Sequence, residues 1–377
     1  MSATSSVTSS PPSLPTLRDH QQSQGAVINP AIAPVPHTYN NRPVLTEALD
    51  RGTVIVDRSH WTRLHFTGED RLNFLHNQTT QDLKTRQPGQ GCLTVIVTAT
   101  ARTIDLALTA ITDDGVLLLG SPGMGDRLMQ WFDRYIFPMD RVTVTDCTAD
   151  TVTFSVLGSQ SQSTLTSLGF ASLENLNPYD HQTAVIDGME VRAIAHSGLG
   201  RPGYTLWTDA AHATPLWEKL TALGAVPAGE TDWEAWRIED GVPKPGHELT
   251  DDYNPLEAGL WHGVSINKGC YIGQETLARL NTYDGVKQYL YGIQLSQPLE
   301  PGTKLATEGG DRAGILTSCL TTETGALGLA YIRRKIHRKI IEENGLVTAS
   351  DPDGTTVTGA ITDLPFPVRT NPDTHQA

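Results

Sequence analysis

The chain has 377 residues and a formal net charge of −14 with no long basic run, which excludes a dedicated nucleic-acid binder and leaves room for two or three domains. Its four cysteines, Cys92, Cys147, Cys270 and Cys319, stand far apart, without Cys-x-x-Cys or zinc-spaced histidine pairs. A disulfide framework and a self-sufficient zinc or cluster site are therefore excluded, and a reducing compartment fits best. Apolar runs fall short of the roughly 18 residues of a membrane-spanning helix, so a soluble protein without a membrane partner is expected.

Residues 1–42 are rich in Ser, Thr, Pro and Gln and lack apolar periodicity. They read as a disordered tail, because such a segment buries too little surface to offset its ordering entropy. An organellar presequence is the alternative, although only Arg18 and Arg42 supply its arginines. Globular structure begins near Val44. Alternation over 53–56 and 62–66 predicts strands, and Thr67-Gly68-Glu69-Asp70 reads as a turn feeding a helix capped by Thr67. Two further strands at 91–96 and 103–111 lead into an Asp113-Asp114-Gly115 hairpin. Helices are expected over 126–135, within 157–168, over 212–223 and over 233–239, with strands between them. This mixture of hairpins and single helices indicates α+β architecture on largely antiparallel sheets. After Asp284-Gly285 the chain reads as short strands between Gly, Pro and Asp turns with no helix among them, a small β-barrel or sandwich. The cationic stretch Arg333-Arg334-Lys335, with His337, Arg338 and Lys339 behind it, reads as a solvated strand or loop face.

Chemistry concentrates in Asn267-Lys268-Gly269-Cys270-Tyr271-Ile272-Gly273-Gln274-Glu275-Thr276-Leu277-Ala278-Arg279-Leu280. Gly269 and Gly273 suit backbone conformations or close approaches that a Cβ would block, and a helix follows from Gln274. Glu275 and Arg279 can pair across one turn of it. Cys270 then lies in a tight loop before a helix N-terminus with Lys268 two residues away, and both features favour thiolate.

Lys-Gly-Cys-Tyr-x-Gly-Gln-Glu resembles the signature of the YgfZ family, folate-binding proteins tied to iron–sulfur cluster maintenance. The likeness spans about 44–365 and extends to the glycine-cleavage T-proteins, which are folate-dependent aminomethyltransferases. Thr67-Gly68-Glu69-Asp70-Arg71, Phe74-Leu75-His76-Asn77-Gln78-Thr79-Thr80 and Trp236-Arg237-Ile238-Glu239-Asp240-Gly241-Val242-Pro243 resemble further family segments. Pro255-Leu256-Glu257-Ala258-Gly259-Leu260 resembles the T-proteins more.

The resemblance implies a T-protein-like folate-binding domain of mixed antiparallel sheets and helices over 43–285, and a small C-terminal β-barrel over 286–368. It implies tetrahydrofolate or a derivative as cofactor, with iron–sulfur client enzymes or cluster-assembly proteins as partners. Trp61 and Trp233 fall where the family carries tryptophans implicated in the folate site, and indoles stack well on flat rings. Arg237, Lys268, Tyr271, Gln274 and Glu275 join them as candidate cofactor contacts, and Cys270 as the reactive thiol. Asp105 stands near the T-proteins' catalytic aspartate, but Ala101-Arg102-Thr103-Ile104 precedes it where they have a Gly-Gly pair. Gly200-Arg201-Pro202-Gly203-Tyr204-Thr205 lacks the carboxylate with which T-proteins read the pterin. An assembly factor is therefore the first reading, and a tetrahydrofolate-dependent aminomethyltransferase using Asp105 the second. The location expected is cytoplasmic, with an organelle matrix or stroma as the alternative.

Overall fold

The computed structural model describes residues 13–31, 33–343, 345–350 and 353–364. The chain enters through α1 (Ser13–Ser23), a short hairpin of β1 (Val27–Ile28) and β2 (Pro36–Thr38), and α2 (Arg42–Arg51). Next come β3 (Val54–Asp57), β4 (Trp61–Thr67), α3 (Arg71–Gln78), β5 (Gly91–Val97), β6 (Thr103–Ile111) and β7 (Gly115–Pro122). They are followed by α4 (Gly125–Asp133), β8 (Thr143–Asp146), β9 (Thr151–Leu157), α5 (Ser161–Leu168), β10 (His181–Ile186), β11 (Met189–Ile194) and β12 (Gly203–Asp209). The unit closes with α6 (Ala213–Ala222), β13 (Val226–Ala228) and α7 (Glu230–Asp240).

These strands form two sheets, ordered β5-β6-β7-β4-β8 and β10-β11-β12-β9-β3-β13. All their pairs are antiparallel except β13 with β3. The period-2 alternation gives each sheet two apolar faces. Leu93, Leu108 and Leu119 of the five-stranded sheet meet Ile194 and Trp207 of the six-stranded sheet between them. On the outer faces, α3 and α4 cover Phe66 and Ile96, while α5 and α6 cover Phe154 and Leu206.

A long connection leads to α8 (Gln274–Thr282) and then to a closed barrel ordered β14-β17-β16-β15-β18-β19. Its strands are β14 (Gln288–Leu295), β15 (Lys304–Thr307), β16 (Arg312–Thr322), β17 (Gly325–Arg333), β18 (Val347–Ser350) and β19 (Thr356–Thr362). Closure removes the unpaired edges an open sheet would expose.

Three expectations are corrected. The segment after residue 12 is not a disordered tail: α1 buries Leu17 completely against the six-stranded sheet, and Gln24 accepts a hydrogen bond from Trp217 Nε1 at 2.9 Å. Burying one leucine stabilises by about 2 kcal/mol, enough to hold a short helix in place. Residues 1–12 lie outside the described residues. Of the cationic stretch only Arg333 is strand, at the end of β17; the rest is not strand or loop but α9 (Arg334–Glu343), a helix inserted between β17 and β18. Its Ile336 and Ile340 sit one turn apart and pack on the barrel core. Asp70, not Thr67, immediately precedes α3, and its Oδ2 accepts the Arg141 amide at 2.9 Å.

Candidate functional site

The sheets leave a cavity of about 50 Å³ between them. Trp61, Leu106, Leu119 and Ser121 line it from one sheet, and Ser155 and His196 from the other side. Asp105 lies fully buried behind this wall. Its Oδ1 accepts Ser121 Oγ at 2.6 Å and the Leu106 amide at 2.9 Å, and its Oδ2 accepts the Ser121 amide at 2.9 Å. Burial pushes its carboxyl up to about 6, against the opposing pull of those hydrogen bonds. A Cβ on Gly120 would stand 2.9 Å from Asp105 Oδ2, so the glycine keeps this niche open. Asp105 therefore reaches the cavity through the Ser121 hydroxyl. Burial also holds the His196 imidazole down at about 4, so it is neutral at physiological pH.

Beside the cavity, an arginine fills the slot between the two tryptophans. The Arg58 guanidinium sits 4.5 Å from the Trp61 ring and 4.0 Å from the Trp233 ring, and the two indoles meet edge to face at 5.8 Å. Glu230, at the start of α7, pairs with Arg58, and His60 Nε2 lies 3.4 Å from the same carboxylate. One residue back, buried Asp57 is held by Arg18, Gln21 and Ser59. Burial opposes its charge, but these partners outweigh burial and keep the carboxyl below its usual range. Trp61 thus lines the cavity, whereas Trp233 is buried behind Arg58. Among the described residues, Trp61 Nε1 and Arg58 Nε are buried donors with no partner.

The cysteine motif forms a separate assembly. Lys268 is buried, and its ammonium donates to the backbone carbonyls of His76, Thr79 (2.6 Å) and Gln81 (2.7 Å), at the end of α3 and just beyond. It also lies 4.5 Å from the Tyr271 ring centre. Burial lowers its pKa to about 7. The Ile272 amide donates to Asn77 O at 2.9 Å, adding a second tie to the end of α3. Gly273 has φ +81°, and a Cβ there would meet Thr98 O at 2.8 Å. Gly269, by contrast, has room for a Cβ. Gln274 Nε2 reaches Lys268 O at 3.4 Å, and Glu275 is exposed, 3.9 Å from Arg279 across one turn. From this stapled loop Cys270 projects to the surface. The three Lys268 donors go to carbonyls, so the ammonium staples the loop to the end of α3.

Arg237 belongs to neither assembly. Its five donors go to both Glu234 oxygens, Val242 O, Glu248 and Ser318 Oγ, which binds α7 to the following turn and the barrel strand β16. With every donor taken it acts as a joint between these elements. Arg58, Ser121 and His196 were missed by sequence reasoning. Arg58 precedes Trp61 by three residues, but its role depends on Glu230, 172 positions away.

Two facing sheets with a cleft between them and a barrel behind define an α+β protein of mixed, largely antiparallel sheets. The chain belongs to the family of the GCVT N-terminal domain, whose model matches residues 18–268. An Arabidopsis thaliana protein provisionally named a chloroplastic transferase is 39% identical over 341 residues, covering 90% of this chain and 77% of that one. The aminomethyltransferase of Rubrobacter xylanophilus is 26% identical over 323 residues, covering 84% of this chain and 86% of its own length. The crystal structure of the glycine cleavage system aminomethyltransferase T from Bartonella henselae superposes with a TM-score of 0.80 at 20% identity, covering 93% of this chain and 96% of that one.

Proposed function

We propose that the protein is a folate-binding accessory factor for assembly or repair of iron–sulfur clusters in client enzymes. Cys270 offers a single thiolate while the client or a cluster-assembly protein supplies the remaining ligands. One observation carries this reading: Lys268, Tyr271 and Gly273 are buried and anchored, whereas Cys270 between them is exposed. A loop fixed by a buried lysine places a soft ligand at a defined point on the surface. Neither the staple nor the exposure would be needed by a cysteine that merely packs.

Tetrahydrofolate or a derivative would enter the cleft between the sheets. A donor is in place, since Trp61 Nε1 is buried, unpaired and beside the cavity, and a folate brings acceptors. The present space of about 50 Å³ is far below the ~300 Å³ at which ligand pockets begin, so the Arg58 side chain must leave its slot. Trp61 and Trp233 would then be free to hold the ring system that folate supplies. The name of the Arabidopsis relative favours the organelle location over the cytoplasmic one.

A second reading, tetrahydrofolate-dependent aminomethyl transfer, is favoured by Asp105. A carboxyl near 6 that contacts a cavity-lining hydroxyl is suited to accept or give a proton at neutral pH. Several relatives are named aminomethyltransferases. The deciding experiment compares Cys270→Ser with Asp105→Asn in a deletion strain, assaying cluster-containing enzymes, and measures turnover of aminomethylated carrier protein in vitro. Loss of cluster-enzyme activity with Cys270→Ser and no carrier turnover supports the first reading. Turnover that Asp105→Asn abolishes and Cys270→Ser leaves intact replaces it with the second.

A further inference from the structure

A larger cavity, about 440 Å³, lies at the junction of the barrel with the long connection and shares no lining residue with the cleft. Trp261, Tyr289 and Tyr291 bring three aromatic rings to it, and α9 brings Arg334, His337 and Arg338. Positions i, i+3 and i+4 share one helical face, so these three side chains converge on one side of the space. The His337 ring stacks on Tyr291 at 4.1 Å with an angle of 19° between planes, which fixes one wall. Arg334 is anchored by Asp284 Oδ1 at 2.6 Å. Arg338 is exposed and makes no ion pair among the described residues. In a chain of net charge −14, a cationic cluster walled by aromatic rings runs against the overall field.

We propose that this cavity binds a nucleotide, with the base on Trp261 and Tyr289 beside the His337–Tyr291 stack and the phosphates on Arg334, Arg338 and the edge of His337. The volume falls within the ~300–1,000 Å³ typical of small-molecule sites. Flat rings stack on aromatic faces, and guanidinium forks match phosphate oxygens in pairs. A diphosphate carries enough charge to engage both arginines, which a single carboxylate does not. Glu342 completes the lining, and eight residues beyond Arg334 it lies about 12 Å further along the helix. Its carboxylate repels phosphate from that end and accepts hydrogen bonds from amino or hydroxyl groups, so it orients the ligand. The turn that carries Trp261 is tied to the segment after α3, since Thr80 Oγ donates to Gly263 O at 2.6 Å and Gln81 Nε2 to His262 O at 3.1 Å. Gln81 O is also one of the three carbonyls bound by Lys268. The nucleotide site and the cysteine loop therefore share a backbone support.

The test is calorimetric titration of the full chain with ADP, adenosine, inorganic pyrophosphate and tetrahydrofolate. ADP is expected to saturate one site and to bind at least about tenfold more tightly than adenosine or pyrophosphate, a margin of ~1.4 kcal/mol. Arg338→Glu should weaken ADP by about tenfold or more, and Tyr289→Ala should also weaken it. Lys335→Glu makes the same charge change on the same helix outside the cavity lining, and should stay within about twofold of the parent. Equal losses in Arg338→Glu and Lys335→Glu would reveal bulk electrostatics and overturn the site. No saturable ADP binding in the folded parent would also overturn it, as would tetrahydrofolate binding that alone is sensitive to Arg338→Glu. Thermal melting of each variant confirms that the fold is intact.

Discussion

The cleft between the sheets and the cysteine loop solve opposite problems with the same kind of residue, a buried cation. In the cleft, the Arg58 guanidinium fills the slot between two indoles, and its partner Glu230 belongs to a distant helix. In the loop, the Lys268 ammonium is surrounded by three carbonyls of one short stretch. An ion pair between side chains from separate elements can open by rotating one of them. An ammonium bound to three main-chain carbonyls cannot leave without unseating the loop. Opening the cleft therefore needs one buried ion pair to break, whereas moving the loop needs its main-chain anchor to break.

The largest effect should come from removing α1, which supports the cleft side alone. A chain beginning at Gly25 loses Leu17 and strands Asp57, buried and deprived of Arg18 and Gln21. Breaking a buried pair costs about 3–5 kcal/mol and the lost leucine about 2 more, so thermal denaturation should show Tm lower by several degrees. Alkylation of Cys270 should proceed at the parent rate. A truncated chain with unchanged Tm would show that the helix is not what steadies the strand leading to Arg58.

Next is the pH dependence conferred by Asp105. Its carboxyl rises from 3.8 to about 6 on folding, so between those values the native state binds the proton more tightly than the unfolded chain. Stability from this group is then highest at low pH and falls as pH rises through about 4 to 6, after which the cost of burying the charge is constant. Two pH units correspond to about 3 kcal/mol. Relative to Asp105→Asn, the parent should gain up to that amount between pH 7 and pH 4 in denaturant titrations. Any hydrogen-bond mismatch of the asparagine amide is independent of pH and drops out of the comparison. Parallel curves for the two proteins would mean that Asp105 is ionised throughout.

How much of this was readable beforehand differs between the two regions for physical reasons. The five-stranded sheet was legible because alternation along Thr103–Ile111 and the Asp113-Asp114-Gly115 turn are local signals. The loop was legible as a motif, and Gly273 is where a Cβ is forbidden. Its electrostatics were not legible, because the acceptors of Lys268 are carbonyls 187–192 positions away. In α1 a sparse stripe of Leu17 and Gln21 is diluted by Ser, Thr, Pro and Gln, so composition argued for disorder. In α9 the cations hid the one-turn spacing of Ile336 and Ile340. The role of Arg237 as a joint was not legible either, because beside its local partner Glu234 it reaches Ser318, 81 positions away.

On the loop side, Lys268→Met should destabilise the protein by about 2 kcal/mol. Three carbonyls lose a charge-assisted donor, and relief of the ammonium's burial returns part of the loss. The decisive readout is local: amide exchange over 265–273 should accelerate while tetrahydrofolate affinity stays at the parent value. Coupled loss of both would dissolve the distinction between a fixed loop and a mobile cleft.

The smallest effect is the one that tests the mobile side directly. If Arg58 only fills the slot, folate must displace it, and the energy of leaving Glu230 and two indole faces is subtracted from binding. Removing the guanidinium should then raise tetrahydrofolate affinity by about tenfold, or ~1.4 kcal/mol. Arg58→Ala alone would leave the half-buried Glu230 carboxylate with only His60 beside it, so Glu230→Gln accompanies it to keep the pocket neutral. Glu230→Gln by itself, with Arg58 retained but its tether weakened, should give an intermediate gain, because the arginine still covers the rings yet rotates away more easily. If Arg58 instead grips a folate carboxylate after swinging out, the double variant should bind about tenfold more weakly while Glu230→Gln still binds more tightly. The sign of the change in the double variant therefore separates an arginine that must leave from one that must follow the ligand.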